Sequence, residues 1–209
     1  GDSPATADHA SCTVGSVIDG DTFDCTDGAR VRLLQIDTLE RGECGADRAT
    51  AALANIFLRP GASVTLEYDA VRIDRYGRHL AAPIVIGTDG NPYNISIVMV
   101  YVGLAKAAYY GDNAQYLDWA NASENWARTA QWNMWAPNGP YVIGEAACGA
   151  RLPPAGSNCD PSYPDVCIPS PPPKRSMQQN VRAMESRACG RNVFPGRAGA
   201  WRARPCRVL

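Results

Sequence analysis

No apolar run in the 209 residues approaches the roughly 18 that a membrane-spanning helix needs, so the sequence itself carries no helical anchor. Histidine is nearly absent: His9 and His79 are the only two, and neither stands in a nucleophile or metal-ligand pattern. The eight cysteines, at 12, 25, 44, 148, 159, 167, 189 and 206, include no C-x-x-C pair and have no His at zinc-ligand spacing, which argues against a zinc framework. Net charge is lacking too, at −1. A tight, sequence-independent nucleic-acid binder draws its affinity from phosphate neutralisation, and this balance does not supply it.

What is present divides unevenly. Residues 174–209 hold nine Lys/Arg against one acid, Glu185, for a net of +8, leaving residues 1–173 at −9. Any polyanion handled by the acidic body must therefore meet local cations. An even number of cysteines suggests disulfides and an oxidising compartment, hence a secreted, extracellular protein. The chain begins at Gly1, as a processed or trimmed product does. Residues 1–11 are polar and aperiodic, a loose end; 12–143 make one domain of ordinary size; 144–173 are a Cys/Pro-rich linker with the spacer Ser170 to Pro173; 174–209 are a basic tail, expected to be weakly structured or a cationic tether.

Val17 to Glu40 is the densest stretch. Asp19-Gly20 and Asp27-Gly28 lie between β-branched and apolar runs, the strongest short-range hairpin signal, and predict a three-strand meander. A two-residue loop at the second turn would set Phe23 opposite Arg32 and Asp21 opposite Leu34, on one face of the sheet, with Asp37 just beyond the third strand. Asp19 reads as a turn residue. Asp21 does not, because Asp is depleted inside strands; a hard-cation site accounts for it, with a solvated surface acid as the plainer alternative. Across the first turn Cys25 would face Val14, with Cys12 diagonal to it at about 7 to 8 Å. A Cys12–Cys25 disulfide, the pairing favoured here, thus needs a bulge or a wider turn.

Ala46 to Leu58 is rich in helix formers and ends at Arg59-Pro60-Gly61. Ser63 to Tyr68 alternates as a strand, and His79 to Ile86 is another, its Pro83 hinting at an edge or bulge. Asn94 to Gly103 reads as a short buried helix capped by Asn94, with a strand as the alternative its β-branched content allows, and Gln115 to Trp132 as a helix whose aromatic residues belong to the core. The sum is a mainly β, α+β domain: a five-stranded barrel with three helices, followed by a Pro-rich and basic C-terminal extension.

Three separated motifs, Asp19-Gly20-Asp21-Thr22, Arg32 through Glu40, and Asp74-Arg75-Tyr76-Gly77-Arg78, together strongly resemble the staphylococcal-nuclease-like (thermonuclease) family, over about residues 12–137. The resemblance implies an OB-fold barrel and a monomeric Ca²⁺-dependent endonuclease that cuts DNA and RNA to leave 3′-phosphate ends. It implies that Asp21, Asp37 and the Thr38 carbonyl hold the ion, that Arg32 and Arg78 grip the phosphate, that Glu40 orients or deprotonates the attacking water, and that Tyr76 and Tyr109 contact the nucleotide. Two departures stand out. Leu39 replaces the usual proline before the glutamate, which is expected to loosen the loop carrying Glu40 and bears on the rate more than on the reaction. Gly111 replaces an aromatic, for which Tyr110 could substitute. The competing readings are a catalytically weak or inactive nucleic-acid-binding barrel and a surface protein anchored by the tail; retention of Asp21, Arg32, Asp37, Glu40 and Arg78 together speaks against the first, and only the basic, Pro-rich region favours the second.

Overall fold

A computed structural model describes residues 9–144 and, as backbone, 159–160 and 163–167. The chain divides into two units, residues 1–168 and 169–209, and every described residue belongs to the first. The expectations for residues 1–8, for most of the linker and for the basic tail lie outside the described residues.

β1 (His9–Val17), β2 (Thr22–Cys25) and β3 (Arg30–Leu33) form the meander. β1 starts earlier than expected: His9, Ala10 and Ser11 pair with Glu67, Leu66 and Thr65 of β5 (Ser63–Ile73). Ladder hydrogen bonds thus order three residues that the sequence pattern assigned to the loose end. β6 (His79–Ile86) follows, giving the order β3-β2-β1-β5-β6. β3 then closes on β6 in parallel, Val31 opposite His79, Arg32 opposite Leu80 and Leu33 opposite Ala81. Five strands make a closed barrel, and closure leaves these strands without a free edge there.

The second hairpin differs from the sequence expectation by one residue. Thr26-Asp27-Gly28 form a three-residue loop, closed by the Cys25 N–H on the Ala29 carbonyl at 2.8 Å, with Gly28 at φ 91°, a conformation natural to glycine. Thr22 therefore opposes Arg32, and Phe23 opposes Val31. Burial enforces this register: Phe23 and Val31 are both wholly enclosed, whereas the two-residue loop would have set Phe23 against a guanidinium. The first hairpin carries the required bulge, its register shifting between Val14 and Ser16. Cys12 and Cys25 are joined there, with their Cα atoms 5.8 Å apart.

Pro83 lies inside β6 opposite Leu66, yet costs no ladder bond on the other flank. The β3 pairing ends at Ala81 and that of β7 (Pro92–Asn94) begins at Ile84, so the missing N–H falls where one neighbour replaces the other.

The barrel core gathers Val14, Phe23, Val31, Leu33, Leu66 and Ala81. α1 (Ala46–Ala52) runs into a π-helical turn, Leu53–Phe57, and inserts Ala49, Ala52 and Leu53 into the same core. α2 (Ile95–Tyr101) is capped by the Asn94 carboxamide oxygen, which accepts from the Ile97 N–H at 3.3 Å. α3 (Leu117–Ala130) buries Ala120 and Ala127, but Trp119 is 46% exposed, against the core role expected for the aromatics of this stretch. Ala120 and Ala127 face inward and the half-buried Trp126 stacks on Tyr101 at 4.4 Å, so that aromatic does join the core, whereas the Trp119 indole lies outside it at 6.0 Å from the Tyr116 ring. A 3₁₀ turn (Asn133–Trp135) and α4 (Pro140–Ile143) follow. Two short ladders complete the description: β4 (Ile36–Asp37) with β8 (Lys106–Ala107), and β9 (Cys159–Asp160) with β10 (Tyr163–Cys167).

Candidate active site

One corner of the barrel draws on three segments: the β1–β2 turn brings Asp19 and Asp21, β3 brings Arg32, and β4 and its exit bring Asp37 and Thr38. The loop after Thr38 carries Glu40, and the β5–β6 turn carries Arg78.

Asp21, 7% exposed, is the most deeply committed acid. Its Oδ2 accepts from both the N–H (3.1 Å) and the hydroxyl (2.9 Å) of Thr38, and its Oδ1 accepts from the Thr22 hydroxyl at 3.0 Å. Gly20 makes this approach possible: a Cβ there would stand 2.8 Å from both the Thr38 Oγ1 and the Ala49 Cβ. Any side chain at Gly20 would drive Thr38 off Asp21. Asp19 Oδ1 in turn accepts the Asp21 N–H at 3.1 Å. Burial pushes the Asp21 carboxyl above its ordinary value and the Asp19 charge adds to this, while Arg32 and the Thr38 hydrogen bonds pull the other way.

Arg32 is nearly enclosed and almost saturated. Its Nε faces Asp21 Oδ1 at 3.0 Å, its Nη1 donates to the carbonyls of Leu33 (2.8 Å) and Ile36 (2.9 Å), and its Nη2 donates to Asp37 Oδ1 at 3.1 Å. A guanidinium has five N–H groups; three donate in these hydrogen bonds, the Nε faces Asp21 as an ion pair, and one on Nη2 is left over. The structure therefore brings together Asp21, Arg32, Asp37 and Thr38, although Arg32 and Asp21 meet through the turn rather than through the expected strand pairing.

Asp37 is half-exposed, with Lys106 as its cross-strand partner. Glu40 is exposed: its N–H donates to Glu43 Oε2 at 2.6 Å, and its own carboxylate has no partner among the described residues. Leu39, where the resemblance calls for proline, packs on the hydrophobic core and gives this loop an apolar anchor.

The parallel β3–β6 register sets Leu80 beside Arg32, so Arg78, two residues earlier, falls on the same side of the barrel wall. Its backbone N–H and its Nε both donate to Asp74, at 2.9 and 2.7 Å. Tyr76 is 67% exposed, with the Arg75 and Arg78 guanidiniums 4.7 and 5.4 Å from its ring centre. Tyr109 is 59% exposed. Tyr110, which sequence reasoning held only in reserve, lies under the Arg32 guanidinium at 5.6 Å.

The field at this corner is negative. Burial raises the Tyr110 phenol, and Asp37 raises it further. Burial also pushes the Tyr141 phenol far up, with Asp37, Asp21, Glu124 and Glu43 adding to the effect. Carboxylate and carbonyl oxygens in such a field are the donors that a hard cation such as Ca²⁺ selects. Among the described residues no three His, Cys, Asp or Glu side chains cluster closely enough to hold a metal alone. A carbonyl such as that of Thr38, and water, would have to complete a coordination shell.

A small closed barrel with an arginine seated between two carboxylates at one corner is an OB-like barrel of the nuclease type. The chain belongs to the staphylococcal nuclease homologue family, whose match covers residues 30–137. It is 36% identical to a micrococcal nuclease of Shigella flexneri over 146 residues, 65% of this chain and 79% of the relative. It is also 36% identical to the protein ParB of Escherichia coli over 98 residues, 44% of this chain and 53% of that relative.

Proposed function

We propose that the chain is a secreted, Ca²⁺-dependent, sugar-nonspecific nuclease that hydrolyses DNA and RNA phosphodiester bonds and leaves 3′-phosphate ends. Family membership and the likeness to a micrococcal nuclease support a phosphodiester hydrolase. The observation that carries the finer reading is the seating of Arg32: three hydrogen bonds and the ion pair with Asp21 fix the guanidinium between Asp21 and Asp37, with one Nη2 N–H left for a ligand.

In this reading Arg32 and Arg78 hold the scissile phosphate. Cleavage builds negative charge on its non-bridging oxygens, and two preorganised guanidiniums stabilise that charge more than water would. Arg suits the task because its planar fork matches phosphate oxygens and stays charged. Glu40, exposed and free of ion pairs among the described residues, orients a water molecule for in-line attack and accepts its proton. Tyr76 and Tyr109 present exposed rings on which bases of any sequence stack. Asp21, Asp37 and the Thr38 carbonyl would hold Ca²⁺; when bound, the ion supplies further positive charge toward the phosphoryl oxygens.

The test is cleavage of plasmid DNA and of RNA with Ca²⁺, with a chelator, and by Glu40→Gln. Cleavage that the chelator abolishes, that added Ca²⁺ restores and that Glu40→Gln lacks is the expected result. Binding of either nucleic acid without cleavage would favour a binding module instead, and full cleavage in chelator would retire the ion.

A further inference from the structure

We propose that Gln35 is a positioning residue that ties the Arg32–carboxylate corner to the loop carrying Tyr109 and Tyr110; the catalytic part of this inference rests on the nuclease reading. Gln35 is only 2% exposed, yet its backbone sits at φ 58°, a region that side-chain-bearing residues avoid. Its side-chain Oε1 is buried with no hydrogen-bond partner. Strain and an unmet buried acceptor at one residue persist only where the surroundings over-determine it, and such places cluster at functional sites.

The surroundings identify what is being held. The left-handed turn at Gln35 folds the chain so that the carbonyls of Leu33 and Ile36 both accept from the Arg32 Nη1. The Gln35 carbonyl accepts the Ala108 N–H at 2.9 Å, the residue before Tyr109. Its Nε2 donates to Asp69 Oδ2 at 3.3 Å, and that same oxygen accepts the Gln115 N–H at 2.8 Å, beyond the far end of the tyrosine loop. Asn113 completes the fastening: its carboxamide accepts the Val71 N–H at 2.7 Å, donates to the Val71 carbonyl at 2.8 Å, and Asn113 bridges back to Tyr110. One residue therefore touches the guanidinium seat, the start of the tyrosine loop and the acid that pins its end.

The test uses the full chain with Gln35→Met, which keeps volume and strain but deletes the donor, Gln35→Gly, which relaxes φ and deletes the donor, and Asp69→Asn, which keeps an acceptor. Amide exchange at Gln115 and turnover on plasmid DNA with Ca²⁺ are measured well below the unfolding temperature. Gln115 exchange about tenfold faster in both Gln35 variants, turnover down about tenfold with KM within about threefold, and near wild-type values for Asp69→Asn are expected, since a misplacement of about 1 Å costs that much or more. Gln115 exchange within about twofold of wild type in both Gln35 variants overturns the tie. Turnover unchanged while exchange rises overturns the catalytic part. A wild-type chain that does not cleave overturns the nuclease reading instead and removes the catalytic part with it, leaving the tie to be decided by exchange alone.

Discussion

Thr38 binds one oxygen of Asp21 twice, through its N–H at 3.1 Å and its hydroxyl at 2.9 Å, and so locks the exit of β4 to the turn between β1 and β2. Thr38→Val keeps the shape and the N–H but removes the hydroxyl donor from a buried carboxylate. The variant should lose about 1–2 kcal/mol of stability, read as a lower urea midpoint at unchanged slope. An unaltered midpoint would show that the hydroxyl contributes nothing.

Arg32 and Glu40 make different demands on a substitute. Arg32→Lys preserves charge but cannot span Asp21, two carbonyls and Asp37 at once. Glu40→Gln is nearly isosteric and abolishes basicity. Each should lower turnover at least about a hundredfold with the fold intact by circular dichroism. Full turnover in either variant would remove that residue from the chemistry.

Asp74 offers a pH signature away from the ion site. Its burial acts to raise the carboxyl, but the Arg78 N–H, the Arg78 guanidinium and the Tyr76 N–H outweigh this and hold it below the ordinary 3.8. A group depressed in the folded state stabilises fully above its unfolded value, and that contribution is lost as pH falls through the folded value. The turn bearing Arg78 should thus persist below pH 3.8 before loosening. Carbon-13 titration of Asp74 should give a midpoint under 3.8 that moves upward in Arg78→Ala; a midpoint at or above 3.8 would contradict the three donors.

The Cys12–Cys25 bridge closes a short loop, with a sequence separation of 13. Replacing both cysteines with serine should cost about 2–3 kcal/mol, measured by thermal unfolding. Mass mapping of the oxidised protein should find residues 12 and 25 linked; eight free thiols in secreted material would contradict the pairing.

Much of the frame was legible because local and tertiary preferences agree in it. The Asp-Gly turns, the Asn94 cap and the Ala46 helix each carry their signal within a few residues. What escaped was set by partners distant in sequence. The meander register turned on whether the loop after Cys25 holds two residues or three, and only the enclosure of Phe23 with Val31 decides it. The start of β1 at His9 is dictated by β5, not by its own polar residues. Of the site, Asp21, Arg32, Asp37 and Thr38 were found by pattern and do converge. Tyr110 was only a reserve choice, and Gln35 gave no sign, because its importance lies in a backbone angle and in contacts with residues 69 and 108.

The barrel is shut by the parallel strip between Val31 and His79. Pairings between such distant stretches of chain form slowly, because a long intervening loop must first be confined. Arg32 lies within that strip and Arg78 one residue before it, so the register of β3 against β6 sets the spacing of the two along the barrel wall. Under the nuclease reading, a chain whose β3 and β6 have not yet paired would lack one half of its phosphate grip.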